Sequence, residues 1–380
     1  MRIAHLIESD GPGGAERVVV HLASTLQAQG LSNVVFLPRH GEGWLEYQLQ
    51  GSGIAIEYFT IDRPFSPACA RAVANALRVH RANVAHSHEF SMAVYGSWAS
   101  WLAGVPHIIT MHGSAYYAGR LRRRLAMRMA VATSRRTVAV SNPLADHMSH
   151  ALALRRSQIG VIPNGVRHEP GGQLSTLRDE LRLSPQDRLV VAVGNLYPVK
   201  GHRHLIDALA LLSTRHPTLH VAIGGRGSLA EPLANQADEL GVGGRVHLLG
   251  LRSDVSALLA AADLVVLPSL SEGLPMALLE AMFANRPIIA SAVGEIPLAL
   301  EQGRAGLLVP AGDPTALATE IDRLLTDATL ARALAERAFA RAVEEYDVSH
   351  MVRRYLGLYM EMLAHPQMSA HPAAGVSPSH

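Results

Sequence analysis

Two doubly wound α/β domains, each a parallel sheet with helices on both faces, are what this sequence predicts, and three observations predict them. Short β-branched runs alternate with helix-period segments along almost the whole chain, the pattern of repeated strand–helix–strand units. The alternation lapses once, around Arg167–Gln173 (Arg-His-Glu-Pro-Gly-Gly-Gln), and then restarts. The 380 residues are too many for one ordinary core, but they suit two domains of about 150–200 residues each.

In the first half, strands are expected at Arg2–Ile7, Asn33–Leu37, Ile54–Phe59, Val84–His88, His107–His112 and Thr137–Ser141, with a short one at Gln158–Ile162. Helices such as Ala15–Gln29 and Ser91–Ala103 lie between them. Pro163-Asn164-Gly165 then marks a turn. In the second half, strands are expected at Arg188–Gly194, Leu219–Gly224, Arg245–Leu248, Asp263–Leu267, Pro287–Ala290 and Gly306–Val309. Helix-period segments Asp313–Leu325, Leu330–Glu344 and Val348–Leu363 close the pattern. The expected boundaries are 1–168, 169–347 and a final helix at 348–365, followed by a Pro-, Ser- and His-rich disordered tail at 366–380.

Composition narrows the function. Hydrophobic residues make up 48% of the chain, enough to fill two cores. The 34 basic and 32 acidic residues nearly cancel, which argues against a nucleic-acid partner. Cys69 is the single cysteine, so neither an internal disulfide framework nor a cysteine zinc site can form, and the cytoplasm is the expected compartment. The apolar start of the chain is interrupted by Glu8 and Asp10, too early for a secretory signal, and Asp263 breaks the run Ala257–Leu267. Membrane contact is therefore expected to be peripheral at most.

The most informative segment is Ser271-Glu272-Gly273-Leu274-Pro275-Met276-Ala277-Leu278-Leu279-Glu280. A strand leads into it, and a helix with Pro275 in its first turn leaves it, because proline costs nothing where no intrahelical N–H partner exists. Strand–loop–helix junctions are where open α/β sheets bind ligands. Two carboxylates there can grip sugar hydroxyls, and the free amides of the helix start can hold an anion. Two surface glutamates flanking a helix start would look the same in isolation. Asp10-Gly11-Pro12-Gly13-Gly14-Ala15-Glu16 forms a second such junction after the first strand. It has neither the Gly-x-Gly-x-x-Gly dinucleotide spacing nor the Gly-Lys-Ser/Thr of a P-loop. Val193-Gly194-Asn195-Leu196-Tyr197-Pro198-Val199-Lys200-Gly201 ends the first strand of the second half and offers a lysine.

In order and spacing, these segments resemble the retaining glycosyltransferases of family 4, which carry a Glu–seven residues–Glu signature. The smaller segments Val140–Pro143 (a strand end with Asn142 as helix cap and Pro143 at the first helical position), Ile162–Val166, Leu249–Asp254 and Ser291–Pro297 match as well, so the likeness runs from the first loop to about residue 310. The resemblance implies a GT-B fold, two facing Rossmann-like domains with an interdomain cleft. It implies that Glu272 and the loop Gly273, Leu274, Pro275 and Met276 hold the donor sugar, and that Glu280 holds the nucleotide ribose. Gly13, Gly14 and Lys200 would meet the diphosphate, and His112 would line the reacting centre. The family usually has Arg where Asn195 stands, and Arg203 or Arg226 would make up the lost charge. The loop carrying Arg252 would receive the base. An acid often follows the Pro-Asn-Gly-Val segment, where this chain has Arg167.

The expected activity is retaining transfer of a sugar from a UDP- or GDP-sugar to a hydroxyl of a glycan or lipid-linked acceptor, in cell-surface polysaccharide or glycolipid synthesis. The alternatives are a nucleotide-sugar 2-epimerase and a non-catalytic sugar-nucleotide-binding protein of the same fold. Cleaving the sugar–phosphate bond builds negative charge, which fixed donors and cations can stabilise by on the order of 3–4 kcal/mol each. No Asp-x-Asp clamp is evident, so neither metal nor cofactor is expected. His86 and His88 share a strand face but show no third ligand of suitable type nearby, which counts against a metal pair. Arg120, Arg122, Arg123, Arg124, Arg128, Arg135 and Arg136 cluster where Leu121, Leu125 and Met129 recur every fourth residue. That pattern gives an amphipathic helix with a cationic face, suited either to solvent or to an anionic membrane.

Overall fold

The computed structural model describes the chain except residues 42, 62–65, 114–115, 117–118, 169–175 and 365–380. Most of the expected linker and the tail at 366–380 lie outside the described residues. The chain divides into two compact units: 1–139 with 145–160 and 352–380, and 140–144 with 161–351.

Among the described residues, the first unit holds a seven-stranded sheet in the order β3-β2-β1-β4-β5-β6-β7. The strands are β1 (Arg2–Leu6), β2 (Ser32–Pro38), β3 (Ala55–Phe59), β4 (Val84–His88), β5 (His107–Met111), β6 (Arg136–Ala139) and β7 (Ile159–Val161). The β1–β4 register pairs His5 with His86, and β1–β2 pairs it with Val35. Strand β2 shows why such strands read as unbroken apolar runs. Val34 and Phe36 face a core made with the helices Pro67–Val79 and Glu89–Ala103. Val35 and Leu37 face the opposite core, under the helices Gly14–Ala28 and Trp44–Gly51. With both faces covered, nothing polar is required at alternate positions. Each such side chain contributes about 1.5–3 kcal/mol by leaving water.

The second unit repeats the plan with six strands in the order β10-β9-β8-β11-β12-β13. They are β8 (Arg188–Val193), β9 (Leu219–Gly224), β10 (Val246–Gly250), β11 (Leu264–Leu267), β12 (Ile288–Ser291) and β13 (Leu307–Val309). All of its pairings are parallel. Asp313 and Asp327 cap the helices Pro314–Thr326 and Ala328–Arg341 by accepting from Ala316 N and Leu330 N, each at 2.9 Å. The expected helix Leu330–Glu344 ends earlier, at Arg341, in a wide π turn over Ala342–Tyr346.

Three local expectations are corrected. Ser141, not Asn142, caps the helix Asn142–Ala151, its hydroxyl accepting from Leu144 N at 3.3 Å. Asn142 instead reaches Glu295 at 3.3 Å. Pro275 sits at the cap of the helix Met276–Phe283, one position before its first turn. In the helix Leu121–Thr133 the buried residues are Met127, Ala130 and Val131, and the Leu121–Leu125–Met129 stripe is exposed.

The helix Val348–Ala364 belongs to the first unit from Val352 onward. There Tyr355 and Tyr359 are fully buried and bond to β5 and β4. Among the described residues no helix is long and apolar enough to cross a membrane.

Candidate functional site

In both sheets the first strand lies beside the fourth, so the connections leave in opposite directions and open a crevice at their carboxyl ends. In the second unit that point is where β8 meets β11. The loops after β8, β11 and β12 are tied to one another there by backbone. Leu270 N donates to Val199 O at 2.8 Å, and Glu295 N donates to Gly273 O at 2.9 Å. Gly201 has φ +64, and a Cβ on it would meet Pro268 O at 2.0 Å. Gly294 has φ +57, and its Cβ would meet Glu272 O at 2.1 Å. Only glycine permits both the left-handed backbone and these approaches.

This knitting sets two predicted site residues against each other. Lys200 Nζ donates to Glu272 Oε1 at 2.6 Å, and Ser269 Oγ donates to the same oxygen at 2.7 Å. The Glu272 side chain is 10% exposed and that of Lys200 26%, so water screens the pair only partly. Gly273 lies in the same loop; Leu274, Pro275 and Met276 are buried, and Glu280 is half-buried on the following helix. The first amides of that helix have no intrahelical acceptor, which suits them to an anion or a hydroxyl.

Three neighbours complete the arrangement. Asn164, also buried, donates through Nδ2 to Leu274 O at 3.3 Å. His202 lies beneath the β8 loop and donates through Nε2 to Gly194 O at 3.1 Å. Burial pushes its imidazole down to about 4, so it is neutral at pH 7. Ser269 is the third. Sequence reasoning did not single out His202 or Ser269, and read Asn164 only as part of a turn and of the matching segment Ile162–Val166. His202 follows the required Gly201 and Ser269 follows the strand end, and those positions were the available signal.

The remaining second-unit candidates are more dispersed. Asn195 is half-buried in the β8 loop. Arg226 is exposed after β9, its carbonyl accepting from Leu196 N at 2.9 Å. Arg203 is exposed on the helix His202–Leu212. Arg252 is held by Glu180 at 2.8 Å and Asp254 at 2.7 Å. Those carboxylates raise its already high pKa, so the guanidinium braces its own loop.

In the first unit the crevice lies where β1 meets β4. Asp10 fixes the β1 loop by accepting from Gly43 N at 2.8 Å and Glu46 N at 3.0 Å. Gly13 then caps the helix Gly14–Ala28. Beside this loop the chemistry is histidine. His88 Nδ1 lies 3.2 Å from His112 Nε2, so the predicted His112 at the end of β5 does meet β4. Burial pushes His112 down to about 4, leaving it neutral at pH 7.

The expectation that His86 and His88 lack a third partner is corrected. His5, Asn33-bonded and 81 positions from His86, brings a ring nitrogen within 4.8 Å of theirs. Strand register, invisible in local sequence, does this. His86 itself holds hydroxyls on both nitrogens, Tyr359 and Thr110, each at 2.7 Å. It lies fully buried in the sheet, inside the first unit.

Glu89 was also unforeseen. Its φ is +66, uncommon for a residue with a side chain. Burial, and then the nearby Glu16 carboxylate, push its carboxyl up to about 7. Its position directly after a strand end was the one sequence signal.

The chain has recognisable relatives. A family model described as Glycosyltransferase Family 4 matches residues 12–170, and one described as Glycosyl transferases group 1 matches residues 175–341. A D-inositol 3-phosphate glycosyltransferase of Segniliparus rotundus is 29% identical over 281 residues, 69% of this chain and 62% of that protein. A UDP-Gal:alpha-D-GlcNAc-diphosphoundecaprenol alpha-1,3-galactosyltransferase of Escherichia coli is 26% identical over 300 residues, 76% of this chain and 77% of that one. The crystal structure of Anabaena Alr3699/HepE in complex with UDP-glucose gives a TM-score of 0.83 at 25% identity, covering 95% of this chain and 100% of the other. The chain spans about half the length of the curated D-inositol 3-phosphate glycosyltransferases it matches, 48%, 62% and 44% of three of them.

Proposed function

The chain belongs to glycosyltransferase family 4, with two Rossmann-like units of the GT-B type, and from that premise we propose that it transfers a sugar from a nucleotide-diphosphate donor to an acceptor hydroxyl with retention. The observation that carries this reading is the Lys200–Glu272 pair at the β8–β11 crevice. An entering diphosphate attracts the lysine. The released carboxylate can then accept from sugar hydroxyls, with Ser269 still holding it in place. Amides of Leu274–Ala277 orient the sugar, Glu280 holds the ribose, and Lys200 faces the phosphates. Asn195, with Arg203 or Arg226, completes the charge balance. The Arg252 loop receives the base through its backbone.

The first unit takes the acceptor. A neutral His112 serves there as a hydrogen-bonding group, since a pKa of about 4 leaves no standing positive charge at pH 7. The proposed route has no covalent glycosyl–enzyme intermediate: the leaving phosphate helps to deprotonate the acceptor on the same face. Phosphate charge is met by lysine and amides without a divalent ion.

A UDP-sugar is favoured among donors because the Anabaena relative's structure contains UDP-glucose. A lipid-linked acceptor in polysaccharide or glycolipid synthesis is favoured because the Escherichia coli relative is named for a diphosphoundecaprenol substrate. Such an acceptor suits an enzyme held peripherally on the membrane's cytoplasmic face, with the Arg120–Arg136 stretch toward it.

The test is a thermal-shift screen of UDP-, GDP- and ADP-sugars, followed by turnover of the best donor with and without excess chelator. Stabilisation by one donor class and chelator-insensitive turnover are expected. Complete loss in chelator would sink the metal-independent mechanism. Formation of a 2-epimer from UDP-N-acetylglucosamine without any acceptor would replace transfer with epimerisation.

A further inference from the structure

Three imidazoles meet on one face of the first unit's sheet. His86 and His88 stand two apart on β4 and so share that face, and the β1–β4 register brings His5 beside His86. All three side chains are fully buried. Ring centroids lie 5.6 Å apart for His5 and His86, 5.9 Å for His5 and His88, and 4.2 Å for His86 and His88. Imidazoles sharing one tetrahedral ion, bonded at about 2.0–2.1 Å, have centroids about 5 Å apart. The spacing in the sheet brackets that value.

Hydrogen bonds around the cluster decide which nitrogens are bare. Asn33 donates through Nδ2 to Ala23 O and Leu31 O, so its Oδ1, 3.3 Å from His5 Nε2, is an acceptor. His5 therefore carries its proton on Nε2 and keeps a lone pair on Nδ1. His88 Nδ1 lies 3.2 Å from His112 Nε2, and with the shared proton on His88 its Nε2 is bare as well. Among the described residues, His5 Nδ1 and His88 Nε2 are buried with no hydrogen-bond partner. Two such lone pairs in one cluster are rare in native interiors, and an electrophile between them satisfies both. His86 completes the set by a trade. Its Nδ1 holds the Tyr359 hydroxyl and its Nε2 the Thr110 hydroxyl, each at 2.7 Å. Thr110 has a second partner, the Tyr355 hydroxyl at 3.0 Å, so it can release Nε2 to an ion. Each imidazole would then bind through one nitrogen and be aimed through the other, by Asn33, Tyr359 and His112, the usual support of a metal-bound histidine. Burial keeps all three neutral, the form that ligates.

We propose that the first unit binds a divalent transition ion of the zinc type through His5, His86 and His88. Imidazole-only ligand sets suit zinc and its neighbours and do not suit magnesium or calcium. Three protein ligands leave a fourth position for water. Tyr355 and Tyr359 of the helix Val348–Ala364 close one side, and half-buried His112, bonded to His88, gives the route in from solvent. The ion ties β1 to β4 and fixes His88 against His112, so it acts as a lock on this unit. It neutralises no phosphate, and the inference stands apart from the proposed transfer reaction. Turnover in chelator is read below the melting temperature of the stripped protein, which keeps the two readings separable.

The experiment takes the full chain, stripped with chelator and desalted, and titrates it with Co2+ and Zn2+. Expected results are a single tight ion per chain and the visible band of tetrahedral cobalt. Zinc at about 100 times its Kd should raise the melting temperature by about 5–10 °C. X-ray absorption at the zinc edge should show about three imidazoles, a readout that needs no variant. His5→Gln and His88→Gln should each abolish the cobalt band. Asn33→Ala, which only aims His5, should weaken affinity by about 10–100-fold. His220 and His247 form a half-buried pair on β9 and β10, 3.1 Å apart, and are the rival binder. His220→Gln/His247→Gln should leave the band unchanged. Loss of the band in that double variant, zinc held by oxygen instead of imidazole, or melting that zinc does not move overturns the proposal. A trapped water would then be what bridges the bare nitrogens.

Discussion

The two units share a strand order and differ in what they place at the same topological point. Where β8 meets β11, the second unit sets a lysine against a glutamate, one oxygen of which also accepts from Ser269. Where β1 meets β4, the first unit sets imidazoles that burial keeps uncharged, beside Glu89, whose carboxyl is pushed up to about 7. One topology thus offers fixed charge in one copy and neutral hydrogen-bonding groups in the other. Fixed charge suits a diphosphate, and neutral donors and acceptors suit sugar hydroxyls. The sheet decides where a ligand can bind, and the residues at the strand ends decide what kind.

The comparison breaks most visibly in acid. His5 and His112 are pushed down to about 4 and His107 to about 3, while His86 and His88 lie well below the usual imidazole value, all by burial. These histidines bind protons more readily unfolded than folded. Their contribution to stability is therefore present above about pH 6.5 and is lost as pH falls toward 4. At about 1.4 kcal/mol per pH unit, the shifts of His5 and His112 to about 4 are each worth on the order of 3 kcal/mol, and His86 and His88 act in the same direction. Glu89 has the opposite sign, because its raised value favours the folded state below about pH 4.5 and costs stability as pH rises through 7, but it is one group against five. The second unit has one such strongly shifted histidine among the described residues, His202. Hydrogen exchange at pH 5 should show the first unit opening before the second. Equal protection in both would remove the contrast.

Next in size is chemistry at the charged crevice. Glu272→Ala should lower turnover by about 10²–10³, with melting shifted much less, if the carboxylate orients the reacting sugar as proposed. A steady-state assay on the folded variant decides this, and wild-type turnover would take Glu272 out of the site. The smallest effect is structural. Gly201→Ala places a methyl against Pro268 O and keeps a positive φ, so the β8 loop must shift. About 2 kcal/mol of stability should be lost, with a weaker donor affinity, in urea unfolding and donor titration.

Much of this arrangement was legible from residue order. Strands such as Val34-Val35-Phe36-Leu37, covered on both faces, announce themselves as apolar β-branched runs, and Pro275 or Asp313 marks a helix start through local chemistry alone. What stayed hidden depended on partners distant in sequence. The third histidine, His5, reaches His86 only through the register of β1 with β4. Glu272 meets Lys200 across 72 positions because Gly201 lets two loops approach. The Leu121–Met129 periodicity revealed a stripe, but periodicity carries no information about which side of a helix faces its domain. Small buried residues such as Ala130 settled that.

The bonds from Tyr359 to His86 and from Tyr355 to Thr110 bear on the order in which the protein is made. The strands that need those hydroxyls leave the ribosome first, and the tyrosines that supply them emerge some 250 residues later. The run 161–351 of the second unit can fold while the first still waits for the hydroxyls that meet His86 Nδ1 and Thr110 Oγ1 in its interior. The first unit's interior can therefore be completed only after residues 161–351 have been made.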